Sequence, residues 1–81
     1  MKTEKDLNQV IHVLNNRLDI DGSSNNAFQI DHCNSGYRLE QVNGKTYGRR
    51  TTRENLYWQI DAMIDGIKIA RDLENDRKGA G

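Results

Sequence analysis

The residue types best suited to catalysis stand side by side at Asp31, His32 and Cys33. A carboxylate, an imidazole and a thiol in mutual contact can serve as orienting group, base and nucleophile. The residues around them alternate between apolar and polar types, and this alternation predicts a strand. Because neighbouring side chains on a strand point to opposite faces, the three groups cannot converge on one substrate. We therefore predict no catalytic residues and expect the chain not to be an enzyme.

The segment from Asp19 to Ser24 has the oxygen-rich composition of a calcium loop. An EF-hand loop requires glycine at its sixth position and a bidentate glutamate at its twelfth. Those positions hold Ser24 and Ile30, so a turn with local side-chain hydrogen bonds is favoured instead. Cys33 is the only cysteine, which excludes an internal disulfide and a zinc site built on several cysteines. We expect no metal site, no cofactor and no small-molecule substrate.

A group of basic residues with one aromatic side chain among them is the candidate for binding an anion. It consists of Lys45, Tyr47, Arg49, Arg50 and Arg53, and is called the basic cluster below. The cluster leads into the start of a predicted helix, where backbone N–H groups and the helix dipole favour anions. Its cations could contact phosphates, and Tyr47 could stack on a base. The alternative is a set of solvated charges balanced by neighbouring acids.

Five predicted elements must position these groups. Apolar residues with helical spacing predict a first helix over Thr3–Leu18, opened by a Thr-x-x-Asp capping box. A second capping box, formed by Thr51 and Glu54, opens a helix that runs to about Glu74. Between the helices, alternating side chains and turn residues predict three strands: Ala27–His32, Tyr37–Val42 and Lys45–Arg50.

The turns between the strands predict how the strands pair. A four-residue loop after the first strand places Ile30 opposite Leu39 and brings the apolar residues of both strands onto one face. Asn43-Gly44 predicts a hairpin into the third strand. A strict two-residue turn pairs Tyr47 with Glu40 and points Tyr47 away from that face. A bulged three-residue loop turns Tyr47 into the core, and both registers remain open at this point.

The second helix is apolar on two faces. One stripe, expected to cover the sheet, consists of Leu56, Ile60, Met63, Ile64, Ile67 and Ala70. At about 100° per residue, a further set falls on the opposite side: Trp58, Ala62, Ile69 and Leu73, called the outer stripe below. The first helix or the C-terminal tail can cover the outer stripe. Otherwise it contacts another protein or a second copy of the chain, since tryptophan is enriched in interface hot spots.

Size and composition limit the remaining possibilities. A chain of 81 residues forms one domain, predicted over residues 1–74 with a flexible tail over residues 75–81. The net charge of zero argues against a general nucleic-acid coat protein and against a membrane-surface binder. No apolar run approaches the roughly 20 residues that span a membrane, and the single cysteine suits a reducing compartment. We therefore expect a cytoplasmic protein without membrane contact.

The predicted order of helix, three strands and helix is similar to that of the double-stranded-RNA-binding domain. That family carries a Lys-Lys-x-Ala-Lys motif at the start of its second helix, where the motif contacts phosphates. This chain has Thr51-Thr52-Arg53-Glu54-Asn55 at that place and departs from the motif. The likeness therefore concerns topology and does not imply an RNA contact.

A second set of residues resembles small accessory proteins encoded by prophages and related mobile elements. The set comprises Gly36-Tyr37-Arg38-Leu39, Asn43-Gly44, Leu56-Tyr57 and Met63-Ile64-Asp65-Gly66-Ile67. The resemblance spans roughly residues 28–70. It implies a short protein that works by binding a host or phage macromolecule.

These observations predict an α+β fold, a two-layer sandwich of helix, three-stranded antiparallel sheet and helix. We expect a small non-enzymatic binding protein, an accessory factor or inhibitor of a phage or mobile element. It would bind a protein partner, or itself as a homodimer, through the outer stripe. The alternative function is a nucleic-acid-binding module that uses the basic cluster.

Overall fold

The computed structural model describes the backbone of residues 1–80 and the side chains of residues 1–77. Its elements in chain order are helix α1 (Glu4–Arg17), strands β1 (Phe28–Cys33), β2 (Gly36–Gln41) and β3 (Thr46–Thr51), and helix α2 (Arg53–Ala80). The strands form one antiparallel sheet in the order β1-β2-β3. Both helices pack against the same face of this sheet, so the predicted two-layer α+β sandwich is confirmed.

The first hairpin has the register that the apolar pattern predicts, with Ile30 opposite Leu39. The chain enters β2 at Gly36, whose φ of +124° is unfavourable for a residue with a side chain. A Cβ atom at Gly36 would lie 2.7 Å from the carbonyl oxygen of Thr51. Glycine at this position therefore lets β2 and β3 approach each other closely.

The second hairpin takes the longer of the two predicted loops. The backbone N–H of Gln41 donates to the carbonyl oxygen of Lys45 at 2.8 Å, and Gly44 within the loop has a φ of +96°. As a result, Tyr47 pairs with Leu39 and lies on the inner face of the sheet. The register with a strict two-residue turn is not the one that forms.

The pairing of β2 with β3 becomes irregular after Tyr47. Two steps along β2, from Leu39 to Tyr37, correspond to four steps along β3, from Tyr47 to Thr51. The extra residues include Gly48, whose φ of +74° suits a bulge. Bulges increase the local twist of a strand and are common on edge strands such as β3.

The core lies between the helices and the inner face of the sheet. Apolar side chains of both helices meet the central strand there, and the buried set is Leu7, Val10, Ile11, Leu14, Leu39, Leu56, Ile60 and Ile64. Leu39 is fully buried, whereas Phe28 and Ile30 on the edge strand β1 are half-buried against the same core. Met63 and Ile67 continue the inner stripe of α2 at the margin of the core.

The first predicted helix start is confirmed, and the second is shifted by one residue. The Thr3 hydroxyl accepts from the Asp6 backbone N–H at 3.2 Å, and Asp6 Oδ2 accepts from the Thr3 N–H at 2.9 Å. In α2, Thr52 is the capping residue, because its hydroxyl accepts from the Asn55 backbone N–H at 3.1 Å. The capping box predicted one residue earlier is wrong, since Thr51 completes β3.

The described end of α2 lies beyond the predicted one. The helix continues to Ala80, whereas the sequence pattern predicts an end near Glu74. The protein contains no proline, so every residue in this stretch keeps its backbone donor for the helix. Flexibility of residues 75–81 stays a prediction, and Gly81 lies outside the described residues.

Replacing the central core residue tests this packing. We expect Leu39→Ala to lower the free energy of unfolding by about 2–5 kcal/mol, because it removes a buried side chain and leaves a cavity. Val42→Ala is the control: Val42 is 46% exposed, and exposed substitutions stay within about 0.5 kcal/mol. Urea unfolding followed by circular dichroism measures both variants. Equal losses of stability would contradict the described core.

Candidate functional site

The outer stripe of α2 is exposed to solvent. Trp58 is 51% exposed, Ile69 59% and Leu73 60%, and Ala62 is exposed between them. The sheet and α1 pack on the opposite side of α2, so neither covers these side chains within the described part of the chain. Large apolar side chains aligned along one helix face are typical of a protein-binding surface.

The C-terminal half of α2 extends past the rest of the fold. The helix has 28 residues, or about 42 Å at 1.5 Å per residue. Residues 68–77 are all exposed. Ala70, which the sequence places in the inner stripe, is exposed with them, because contacts with the core end at Ile67. An ion pair of 3.4 Å between Arg71 Nη2 and Asp19 Oδ2 links this segment to the loop after α1.

A cation lies against the aromatic end of the outer stripe. The rings of Tyr57 and Trp58 meet edge to face, with 5.1 Å between their centroids. The ammonium nitrogen of Lys2 lies 4.2 Å from the Tyr57 centroid and 4.9 Å from the Trp58 centroid. This geometry gives a favourable cation–π interaction. Sequence reasoning does not find Lys2, since it precedes the first helix and belongs to no pattern.

A shallow groove between α1 and α2 borders one side of the outer stripe. Its volume is about 250 Å³, and its lining residues are Asp6, Gln9, Val10, Val13, Tyr57, Asp61 and Ile64. Val13 is 36% exposed and adds apolar surface to the groove. Asp6 and Asp61 add carboxylates, so the surface on this side of the stripe combines apolar and acidic groups.

On the face of the sheet that carries no helix, one carboxylate and two guanidinium groups form a network of ion pairs and hydrogen bonds. Asp31 Oδ2 lies 2.6 Å from Arg50 Nη2 and 3.3 Å from Arg38 Nη2. Arg50 also donates to the backbone carbonyl groups of Asp31 and Gly36, at 3.4 and 3.3 Å. The hydrogen bond from Arg50, together with the charges of both arginines, lowers the pKa of Asp31. This network joins all three strands across the outer face of the sheet.

Two members of the basic cluster lie on opposite faces of the sheet. Arg50 is held by Asp31 on the outer face. Tyr47 lies on the inner face, where its ring packs near Phe28 and its hydroxyl donates to Gln41 Oε1. The aromatic ring and the guanidinium group therefore do not form one shared surface for a stacked base and its phosphate.

The other members of the basic cluster are spread along β3. Lys45 precedes the strand and Arg53 follows it, and the six residues of β3 span about 20 Å at roughly 3.3 Å each. Lys45 and Arg49 are exposed, and Arg53 is half-buried with its guanidinium carbon 5.9 Å from the Tyr37 ring centroid. Lys45 and Arg49 are thus the most exposed members, and Lys45 Nζ lies 5.6 Å from the Tyr47 ring centroid.

The candidate catalytic side chains point to different sides of the sheet, as strand geometry predicts. Asp31 belongs to the outer network, whereas the His32 ring stacks on Tyr37 on the inner face with 4.0 Å between centroids. Cys33 is exposed at the end of β1. Hydrogen bonds from Ser35 lower the pKa of the Cys33 thiol. The three residues do not assemble into one site.

The loop between α1 and β1 has the local hydrogen bonds expected of a turn. Asp21 Oδ1 accepts from both the backbone N–H and the hydroxyl of Ser23, at 3.0 Å each. Within the described residues, no three or more His, Cys, Asp or Glu side chains are grouped so that they could hold a metal ion. The same part of the chain contains no helix with the length and apolarity needed to cross a membrane.

A scan against protein-family models, a search of curated proteins and a search of solved structures each found no significant match. The function must therefore be inferred from the chain's own surfaces.

The Asp31 network predicts how stability depends on pH. Because the pKa of Asp31 is lowered in the folded protein, the folded state binds this proton more weakly than the unfolded state does. The stabilising effect is fully present above the unfolded-state pKa of about 3.9, and it is lost as the pH falls toward the lowered value. We expect Asp31→Asn to be less stable than the wild type at neutral pH, with a difference that shrinks below about pH 4.

Urea unfolding of both proteins across this pH range measures the difference. A destabilisation of the same size at neutral and acidic pH would contradict the prediction. It would show that the charge of Asp31 does not contribute through Arg38 and Arg50.

Proposed function

We propose that the chain is a small non-enzymatic binding protein that acts through a protein–protein contact on the outer stripe. The exposure of Trp58, Ile69 and Leu73 along one helix face is the observation that carries this proposal. Burial of apolar surface is favourable by about 25 cal/mol per Å². A partner that covers these three side chains removes from water the largest apolar groups that α2 leaves exposed.

The extended half of α2 supports the same proposal. Isolated helices shorter than about 12–15 residues are marginal in water, and their stability in proteins comes mainly from packing of one face. Each of residues 68–77 is exposed, and the segment contacts the loop after α1 through the ion pair between Arg71 and Asp19. A partner lying on Ile69 and Leu73 would stabilise this segment by burying two apolar side chains that are exposed in the described chain.

The proposal extends to a biological class. An open helix face suits another protein better than a small molecule, because small ligands bind in concave cavities that surround them. We place the chain among the accessory factors or inhibitors of phages and mobile elements, as the resemblance over roughly residues 28–70 implies. Its partner would then be a cytoplasmic protein of the host or the phage.

Matched variants test the outer stripe. We expect Trp58→Ala/Leu73→Ala to weaken capture of the partner from a lysate of the source cells by about tenfold or more, because truncating hot-spot residues costs that much or more. Val42→Ala is the control, since it truncates an exposed apolar side chain outside α2. Quantitative mass spectrometry compares the proteins retained by each variant. Unchanged capture by the double variant, with an intact circular dichroism spectrum, would contradict the proposed function.

A nucleic-acid-binding module that uses the basic cluster is the second candidate. Lys45 and Arg49 favour it, because both are exposed and form no ion pair within the described residues. Arg50 is less suited to a phosphate, since Asp31 already holds it. A zero net charge also provides little long-range attraction for a polyanion.

Salt dependence decides between the two candidates. If the basic cluster contacts phosphates, Lys45→Ala/Arg49→Ala should weaken binding to short RNA and DNA duplexes uniformly across sequences. It should also reduce the slope of log affinity against log salt by about 2, one counterion for each lost contact. Lys5→Ala/Lys68→Ala removes the same charge elsewhere and serves as the control in fluorescence anisotropy titrations. If the wild type does not bind at low salt, where phosphate contacts are strongest, this candidate is excluded.

A further inference from the structure

The outer stripe has one acidic edge. At about 100° per residue, the acidic residues on one side of the stripe are Glu54, Asp61, Asp65 and Asp72, and Lys68 lies beside them. The other side carries a single charged residue, and its members are Asn55, Gln59, Gly66, Ala70 and Arg77. A row of carboxylates therefore runs beside the apolar side chains for about five helical turns.

The carboxylates of this acidic edge have no ion-pair partner in the described part of the chain. Within residues 1–77, these four carboxylates form no hydrogen bond and no ion pair. Lys68 lies close to the edge on the helix surface, and it also forms no ion pair there. Glu54, Asp65 and Asp72 are exposed, and Asp61 is half-buried at the groove beside α1. Unpaired negative charge thus borders the apolar surface along its length.

The chain also shows how a cation fits this surface. The ammonium group of Lys2 lies over the rings of Tyr57 and Trp58, at the N-terminal end of the stripe. Glu54 lies one turn before Trp58 on the same side of the helix, at the i, i+4 spacing that brings side chains together. A Lys or Arg side chain of a partner that takes the place of Lys2 would meet the same aromatic rings and the Glu54 carboxylate at this end.

A second copy of the chain matches the apolar side chains but not the charges. In an antiparallel pair of α2 helices, Trp58 of each copy can face Leu73 of the other. That arrangement brings the two acidic edges together, with the two Asp65 carboxylates near the two-fold axis. A parallel pair would set each acidic edge against an edge whose only cation is Arg77. Charge complementarity therefore favours a different protein over self-association.

We propose that the outer stripe binds an amphipathic helix of another protein that carries Lys or Arg along one edge of its apolar face. This inference rests on the proposed protein-binding function and names the chemistry of the partner. The partner's apolar face would cover Trp58, Ile69 and Leu73, and its basic row would lie along the acidic edge. A helix fits because it presents an apolar row and a charged row side by side, with the same rise as α2.

Fluorescence of Trp58 provides a direct test, because Trp58 is the only tryptophan in the chain. Two synthetic amphipathic peptides of about 18 residues, roughly five turns, serve as probes. Both carry leucines on one face, and their edge positions hold lysine in one peptide and glutamate in the other. We expect the Trp58 emission to change and then level off as the lysine peptide is added. The affinity for the lysine peptide should be at least about tenfold higher than that for the glutamate peptide.

Removing carboxylates isolates the contribution of charge. Asp65→Asn/Asp72→Asn should weaken binding of the lysine peptide by roughly two- to thirtyfold, the range expected for two exposed ion pairs. Asp21→Asn/Glu40→Gln is the matched control, since it makes the same change in net charge outside α2. Its affinity for the lysine peptide should stay within about twofold of the wild type. Added salt should weaken the wild-type complex more than the complex of the α2 variant.

Any of three results would contradict the proposal that the partner is a basic helix. They are equal affinity for the two peptides, no binding of either peptide, and unchanged affinity of Asp65→Asn/Asp72→Asn for the lysine peptide. Self-association measured by analytical ultracentrifugation, and lost in Trp58→Ala/Leu73→Ala, would assign the stripe to a second copy instead. Each of these results leaves the proposed protein-binding function standing. The proposed protein-binding function is contradicted by a different result, namely capture of cellular proteins that does not depend on Trp58 and Leu73.

Discussion

The fold depends on the burial of one face of a three-stranded sheet, with Leu39 at its centre. Leu39 is fully buried, and Leu7, Leu14, Leu56 and Ile60 close over it from two helices. With only 14 residues, α1 covers part of this face, and α2 completes the cover. The packing of α2 on Leu39 also determines which of its two apolar sides faces inward. The outer stripe then faces solvent, because the sheet has one apolar face and α2 covers it with the inner stripe.

The outer face of the sheet and the outer side of α2 differ in whether their side chains have partners within the chain. On the outer face of the sheet, Asp31 pairs with Arg38 and Arg50, so one side chain from each strand joins a polar network. Such a face is stable in contact with water and requires no covering helix. On the outer side of α2, by contrast, Trp58 and Leu73 are exposed, and burying them against a partner would lower the free energy. This contrast is why we assign the binding function to α2.

The pairing of charges reinforces that assignment. Arg50 of the basic cluster is paired with Asp31 on the outer face, and the register of the second hairpin turns Tyr47 toward the core. A surface that looks basic and aromatic in sequence is thereby divided between two faces. The acids beside the outer stripe, such as Asp65 and Asp72, have no such partner among the described residues. A chain with zero net charge therefore presents a local acidic surface next to its exposed apolar residues.

The sequence by itself determined the order of the elements, the first capping box, the pairing of Ile30 with Leu39 and the two apolar sides of α2, apart from Ala70, which lies beyond the core. These features depend on close neighbours or on periods of 2 and 3.6 residues, which a sequence displays directly. The tertiary structure decided the rest. Asn43-Gly44 permits two loops, and packing of Tyr47 beside Leu39 selects one. Both Thr51 and its neighbour can cap a helix, and pairing with Tyr37 keeps Thr51 in β3. The partner of Arg50 and the exposure of the outer stripe depend on contacts between distant segments, for which periodicity carries no signal.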